Sequence, residues 1–116
     1  MDFYNIKNDL KEIRTELAHA YAGINPDKKR ERIKELEAMQ NAEGFWNDAQ
    51  NAAKVTKEQN QLQAKLAKFE STLKDLDSTI EMVDMLSLEE DPESEAEVEA
   101  HIKELKKKCE ALSLET

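Results

Sequence analysis

The amino-acid sequence predicts an all-α chain: an elongated antiparallel helical bundle or coiled-coil hairpin built on one long central helix. Three observations predict it. The 116 residues are 37% charged, 39% hydrophobic and only 5% aromatic, a mix that suits narrow apolar seams between long helices better than a thick globular core. The chain has two Gly and two Pro, and Gly23, Pro26, Gly44 and Pro92 all fall where a helix should start or stop. Finally, Leu62, Leu66, Phe69, Leu73, Leu76, Ile80 and Val83 alternate by four and three without a break, which is the seam of a left-handed coiled coil.

A single helical domain, 1–116, is expected, with helices at about 2–22, 26–40, 48–87 and 92–113. Phe3, Ile6, Leu10, Ile13, Leu17 and Ala20 recur at helical spacing and place the first helix from Asp2 to Ala22. Gly23 is expected to close it, because Gly adopts the left-handed conformation without a Cβ clash. Asn25 is expected to cap the second helix through its side-chain oxygen, with Pro26 at the first helical position, where a missing N–H costs nothing. That helix runs to about Gln40 and ends before Gly44. Asn47 or Asp48 then caps the third helix, whose spine begins at Val55 and which spans about 60 Å to Ser87 at roughly 1.5 Å per residue. Phe45 and Trp46 are read as a packing plug at the corner before it. Asp91-Pro92 repeats the cap-plus-proline start, and Val98, Ile102, Leu105, Cys109 and Leu112 form a second four-three ladder. With so short a turn between them, the fourth helix must fold back antiparallel on the C-terminal half of the third. The first two helices cover what remains of its stripe.

Charge narrows the function classes. The formal net charge is −9, which argues against broad nucleic-acid binding, so any RNA contact has to be local. Glu89, Glu90, Asp91, Glu93, Glu95, Glu97 and Glu99 follow one another with no basic residue between Ser87 and Glu99, and read as a solvated hairpin end. Acids at the start of the fourth helix, and Lys103, Lys106, Lys107 and Lys108 further on, suit its macrodipole. The second helix breaks that rule. Lys28, Lys29, Arg30 and Arg32 crowd its N-terminal turns, where each exposed positive charge opposes the dipole by about 0.3–1 kcal/mol. Asp27, Glu31 and Glu35 can balance them, yet a sequence that breaks a local rule is a candidate for serving a partner.

Catalytic chemistry has little to work with. His19 and His101 stand alone without a Cys or second His at ligand spacing, so no metal site is expected. The single cysteine, Cys109, cannot form an internal disulfide and falls on the fourth-helix ladder as a small core residue. No Ser-His-Asp arrangement, Gly-rich phosphate loop or other cofactor signature is present, and no catalytic or cofactor-binding residue is assigned. The apolar runs are too short for a signal peptide or a membrane span, so the chain is expected to be soluble and cytoplasmic.

The segments Asn25–Glu37 and Gly44-Phe45-Trp46-Asn47-Asp48, followed by Val55, Lys57-Glu58 and Leu62, form a pattern more specific than generic charged helix. It resembles the N-terminal helical domain of bacterial class I peptide chain release factors, and Phe45–Asp48 is most similar to the type 2 factors. The resemblance covers essentially the whole chain, although the second half matches mainly in heptad character. It implies an accessory domain of a translation termination factor, acting on the ribosome at stop codons and docking near the large-subunit stalk base. The implied partners are ribosomal RNA or protein and the remaining domains of the same factor. Lys28, Lys29, Arg30 and Arg32 are the candidate ribosome contacts. In the family, Gly-Gly-Gln carries peptide release and Ser-Pro-Phe reads the stop codon. Neither tripeptide occurs here, so the chain is expected to be a non-enzymatic fragment that stops about where the catalytic core would begin. A seam left open by the missing domains would offer a surface for a second copy. The heptads alone would also allow a free-standing coiled-coil adaptor or chaperone-like scaffold.

Overall fold

A computed structural model describes residues 1–115. Among them lie four α-helices, α1 (Phe3–Gly23), α2 (Pro26–Gln40), α3 (Ala49–Leu88) and α4 (Pro92–Leu114), with a 3₁₀ turn at Phe45–Asn47. No described residue is in a strand. The all-α class and the single long helix therefore stand. α3 is 40 residues, about 60 Å of helix. The chain divides into two compact units that share it. Met1–Ile24 with residues 69–115 forms the first, and Asn25–Lys68 forms the second.

Three of the four α-helices start on the same device. The carboxylates of Asp2, Asp48 and Asp91 accept from the backbone N–H three residues on, of Asn5, Asn51 and Ser94, at 3.1–3.2 Å. Each satisfies one of the orphan donors of a first turn. The Ser94 hydroxyl and N–H together hold the Asp91 carboxyl below its ordinary range. The start of α2 corrects two expectations. Gly23 remains in the helix, and the left-handed residue is Asn25, at φ 56° and ψ 68°. Ile24 is buried, so the right-handed backbone continues one residue past Gly23 to insert it. The reversal then falls on an Asn, which tolerates this conformation, just before a proline that disfavours right-handed backbone at its predecessor. From a left-handed backbone the Asn25 side chain makes no capping bond, since that bond requires an extended cap residue. Its carbonyl accepts from the Lys29 N–H instead, at 3.3 Å.

In the first unit, polar pairs fix helix direction. Lys7 meets Asp84 at 2.6 Å, Arg14 meets Asp77 at 3.0 Å, and the Tyr21 hydroxyl donates to Glu70 at 2.7 Å. Each step of seven forward on α1 is a step of seven back on α3, so the two run antiparallel in one register. α4 folds back on α3, where His101 Nε2 lies 2.8 Å from Asp75 Oδ1. Asp9, Ile13 and Glu16 share a groove with Lys106, Cys109 and Ser113, so α1 and α4 run parallel. Inside lie Leu10 and Leu17 of α1, Phe69, Leu76 and Val83 of α3, and Ile102, Leu105, Cys109 and Leu112 of α4, all buried. Phe69 is fully buried and stacks obliquely on Tyr21 of α1, with ring centroids 5.9 Å apart. Thr72 and Thr79 are buried too, although neither lies on the four-three seam. With α1 on one side and α4 on the other, α3 needs a wider covered stripe here than a two-helix seam does.

The second unit is thinner. Leu36 of α2 packs with Phe45, Ala52 and Val55, and partly buried Leu62 closes the cluster. Gly44 turns the chain at φ 82°, where a Cβ would be strained. The 3₁₀ turn that follows corrects the plug reading: Phe45 is buried but Trp46 is 64% exposed. At three residues per turn, adjacent side chains project about 120° apart, so only one of the two can enter the core.

Candidate functional site

The two units carry opposite charge. Nine basic and seven acidic residues give the second unit a net +2, while eight basic and nineteen acidic residues give the first −11. The only basic surplus in the chain therefore coincides with the unit holding the four cationic residues of α2. Their environments differ. Lys28 is exposed and Lys29 half-buried, and exposed Arg30 reaches back to Asp27, with Nη1 2.7 Å from the carboxylate. Arg32 turns toward α3. Its Nε and Nη2 fork onto the Glu58 carboxylate at 2.6 and 3.0 Å, and its Nη1 donates to Glu35 at 2.9 Å. Glu58, followed by Glu35, raises the Arg32 pKa further above its ordinary value, and Arg32 in turn holds the Glu58 carboxyl below its own. A bidentate guanidinium–carboxylate pair fixes orientation as well as charge, so Arg32 ties α2 to α3. Lys28, Lys29 and Arg30 lie in the first turns, ahead of that tie.

Trp46 stands edge-on to Phe45, with centroids 4.8 Å apart and planes at 84°. It walls a shallow depression of about 550 Å³ floored by Ala52, Ala53 and Ala64, with Lys57 as the one charged residue lining it. Composition gave no signal for this exposure, because whether Trp46 points outward depends on the 3₁₀ geometry after Gly44.

Among the described residues no group of three or more His, Cys, Asp and Glu is placed to hold a metal ion. Burial, reinforced by Asp75, pushes the Cys109 thiol up, which leaves it a poor nucleophile. The Thr79 hydroxyl donates to the same Asp75 oxygen that pairs with His101. Thr79 itself is buried, which keeps that hydroxyl from an incoming substrate.

The residues that carry the resemblance, Asn25–Glu37, Phe45–Asp48, Val55, Lys57-Glu58 and Leu62, all lie in the second unit, and the Arg32–Glu58 fork joins two of their segments. The family model of the PCRF domain matches residues 29–116. The chain belongs to the PCRF-domain family. Relatives named peptide chain release factor 2 agree on the type. That of Nautilia profundicola is 34% identical over 115 residues, covering 99% of this chain and 31% of the relative. That of a Nitratiruptor species is 34% identical over 94 residues, covering 81% and 26% respectively. That of Clostridium perfringens is 29% identical over 116 residues, covering 100% and 32%. The resemblance to class I release factors of type 2 is therefore sound, and this PCRF-family chain spans about a third of the length of such relatives. No solved structure matches it significantly. No helix among the described residues is long and apolar enough to cross a membrane.

Proposed function

We propose that this chain is an accessory helical domain of a type 2 translation termination factor, that it acts with the factor's remaining domains on cytoplasmic ribosomes at stop codons, and that it docks near the large-subunit stalk base through the first turns of α2. Charge segregation is the observation that carries the docking surface. A ribosome is a polyanion, and the second unit, at net +2, is where it would be met with least repulsion. In this reading Lys28, Lys29 and Arg30 are the ribosome contacts, and Arg32 is a positioning residue that holds α2 against α3 through Glu58. Peptide release belongs to other domains in this reading, since Gly-Gly-Gln is not in these residues.

Ribosome binding of the chain measured as a function of salt tests the surface. Changing Lys28, Lys29 and Arg30 together to Gln should lower affinity and reduce the slope of log K against log salt by about 2, because fewer counterions are released per complex. Helix content should not change. Unchanged affinity and slope would return the cluster to a solvated helix face. A separate assay bears on release: ribosomes stalled at a stop codon should keep their peptidyl-tRNA ester intact when this chain is added.

A further inference from the structure

The outer face of the α3–α4 hairpin has not been used by any part of the proposed function. Two depressions, of about 300 and 370 Å³, meet there at Met82. One is lined by Asp75, Thr79, Glu97, Val98 and His101, and the other by Met85, Leu86, Glu89, Glu90 and Asp91. Together they make one trough whose floor is apolar and whose rim is acidic. Met82 and Met85 are 43% and 65% exposed and neighbouring Leu88 is 87% exposed, although Leu10, Leu17 and Val83 of the same unit are fully buried. Acids alone would be accounted for by solvation of a hairpin end. Thioether and leucyl side chains left in water along the same face are not, and methionine is the side chain that adapts to varied apolar partners.

We infer that this trough binds a basic amphipathic helix of another protein, with the Met82–Met85 floor taking its apolar face and Glu89, Glu90 and Glu97 taking its cations. Asp75 and Asp91, held by His101, Thr79 and Ser94, add to the negative field. Length and charge both argue for that occupant. From Asp75 to Leu86 the trough runs about 16 Å along α3, the length of some eleven helical residues. Five carboxylates rim it with no Lys or Arg among the lining residues, which favours a cationic ligand and repels an anionic one. A second copy of this chain is a poor candidate. Its cationic stretches, α2 and the lysine-rich later turns of α4, already bury their apolar faces at home, α2 through Ile33 and Leu36 and α4 through Ile102 and Leu105. The inference does not depend on ribosome docking, which concerns the other unit.

A synthetic peptide of about fourteen residues, Leu and Lys at helical spacing, is the probe, with a scrambled peptide of the same composition as its control. By fluorescence anisotropy the amphipathic peptide should bind at least about tenfold tighter than the scrambled one, because only it presents anchors on one face. Met82→Ser with Met85→Ser should weaken it about tenfold while leaving helix content unchanged. Glu89→Gln, Glu90→Gln and Glu97→Gln together should lower affinity and flatten its salt dependence. In the parent protein, amide shifts on peptide addition should concentrate at Met82, Met85 and Val98, a readout that needs no variant. Equal binding of the two peptides, shifts spread over the acidic surface, or indifference to the methionine changes would overturn the inference. Concentration-dependent self-association abolished by Met85→Ser would overturn it as well, in favour of a second copy.

Discussion

The first unit packs three helices around one buried line, whereas the second packs α2 and a 3₁₀ turn on one side of α3. The difference shows in what holds each together. In the first, Phe69, Leu76 and Val83 of α3 are enclosed by α1 and α4, and three heptad-spaced polar pairs fix the α1–α3 register. In the second, a small cluster of Leu36, Phe45, Ala52 and Val55 does much of the packing, and two polar links join α2 to α3, the Arg32 fork on Glu58 and the Gln40 amide on Gln59. It also carries the only basic surplus. A domain that must stay folded and still present cations can divide the tasks this way, with apolar burial concentrated in the acidic unit and recognition in the thinner, basic one.

The contrast can be broken most forcefully at Phe69. Phe69→Ala should cost about 3–5 kcal/mol, a large part of the roughly 5–15 kcal/mol that keeps a domain folded. A thermal melt should show the loss of the whole first unit, and a melt matching the parent would mean that this unit does not depend on its seam. Leu36→Ala should cost about 2–5 kcal/mol at its own site. Native-state amide exchange should register that loss in residues 25–68, with the α1 and α4 amides keeping their protection. Global loss would mean that the two units unfold as one.

A smaller effect follows from the fork. Arg32 holds the Glu58 carboxyl below its usual value of 4.5. A carboxylate depressed in the folded chain contributes stability that is fully present above its unfolded pKa and is lost as pH falls through the folded value. Amide protection in the second unit should therefore decline below about pH 4.5, and Glu58→Gln should remove the part of that decline due to this pair. The Glu58→Gln chain retaining the full pH dependence would assign it to other acids. Smallest of all is Trp46→Ser. Because Trp46 is 64% exposed, melting should shift by no more than about 0.5 kcal/mol. A larger shift would restore Trp46 as a packing residue.

The helical class, the long central helix and the spine from Leu62 to Val83 were legible because an apolar residue every three or four positions has one low-energy solution. Cys109 as a core residue was legible for the same reason. Thr72 and Thr79 were not, since a hydroxyl residue beside the seam looks solvent-facing until a second helix covers it. The α1–α3 pairs were equally hidden, because Lys7, Arg14 and Tyr21 resemble any surface set until Asp84, Asp77 and Glu70 are known to run opposite. At the candidate site the cationic turn of α2 stood out against its helix dipole, but its division into Arg32, bound inward, and Lys28, Lys29 and Arg30 ahead of it did not. Met82 and Met85, merely off the ladder in sequence, became a feature only once α4 lay beside them.

Local chemistry therefore sufficed for the helices and for most of their starts: aspartate at a cap, proline in a first turn and apolar periodicity along a spine each act within a turn or two of chain. Even there, the left-handed residue fell on Asn25 instead of Gly23 because Ile24 had a buried place to reach. Exposure and partnership needed the packed chain. A side chain's burial is set by which neighbours cover its face, and those of Thr79 and Arg32 come in part from elements that one-dimensional spacing does not bring together.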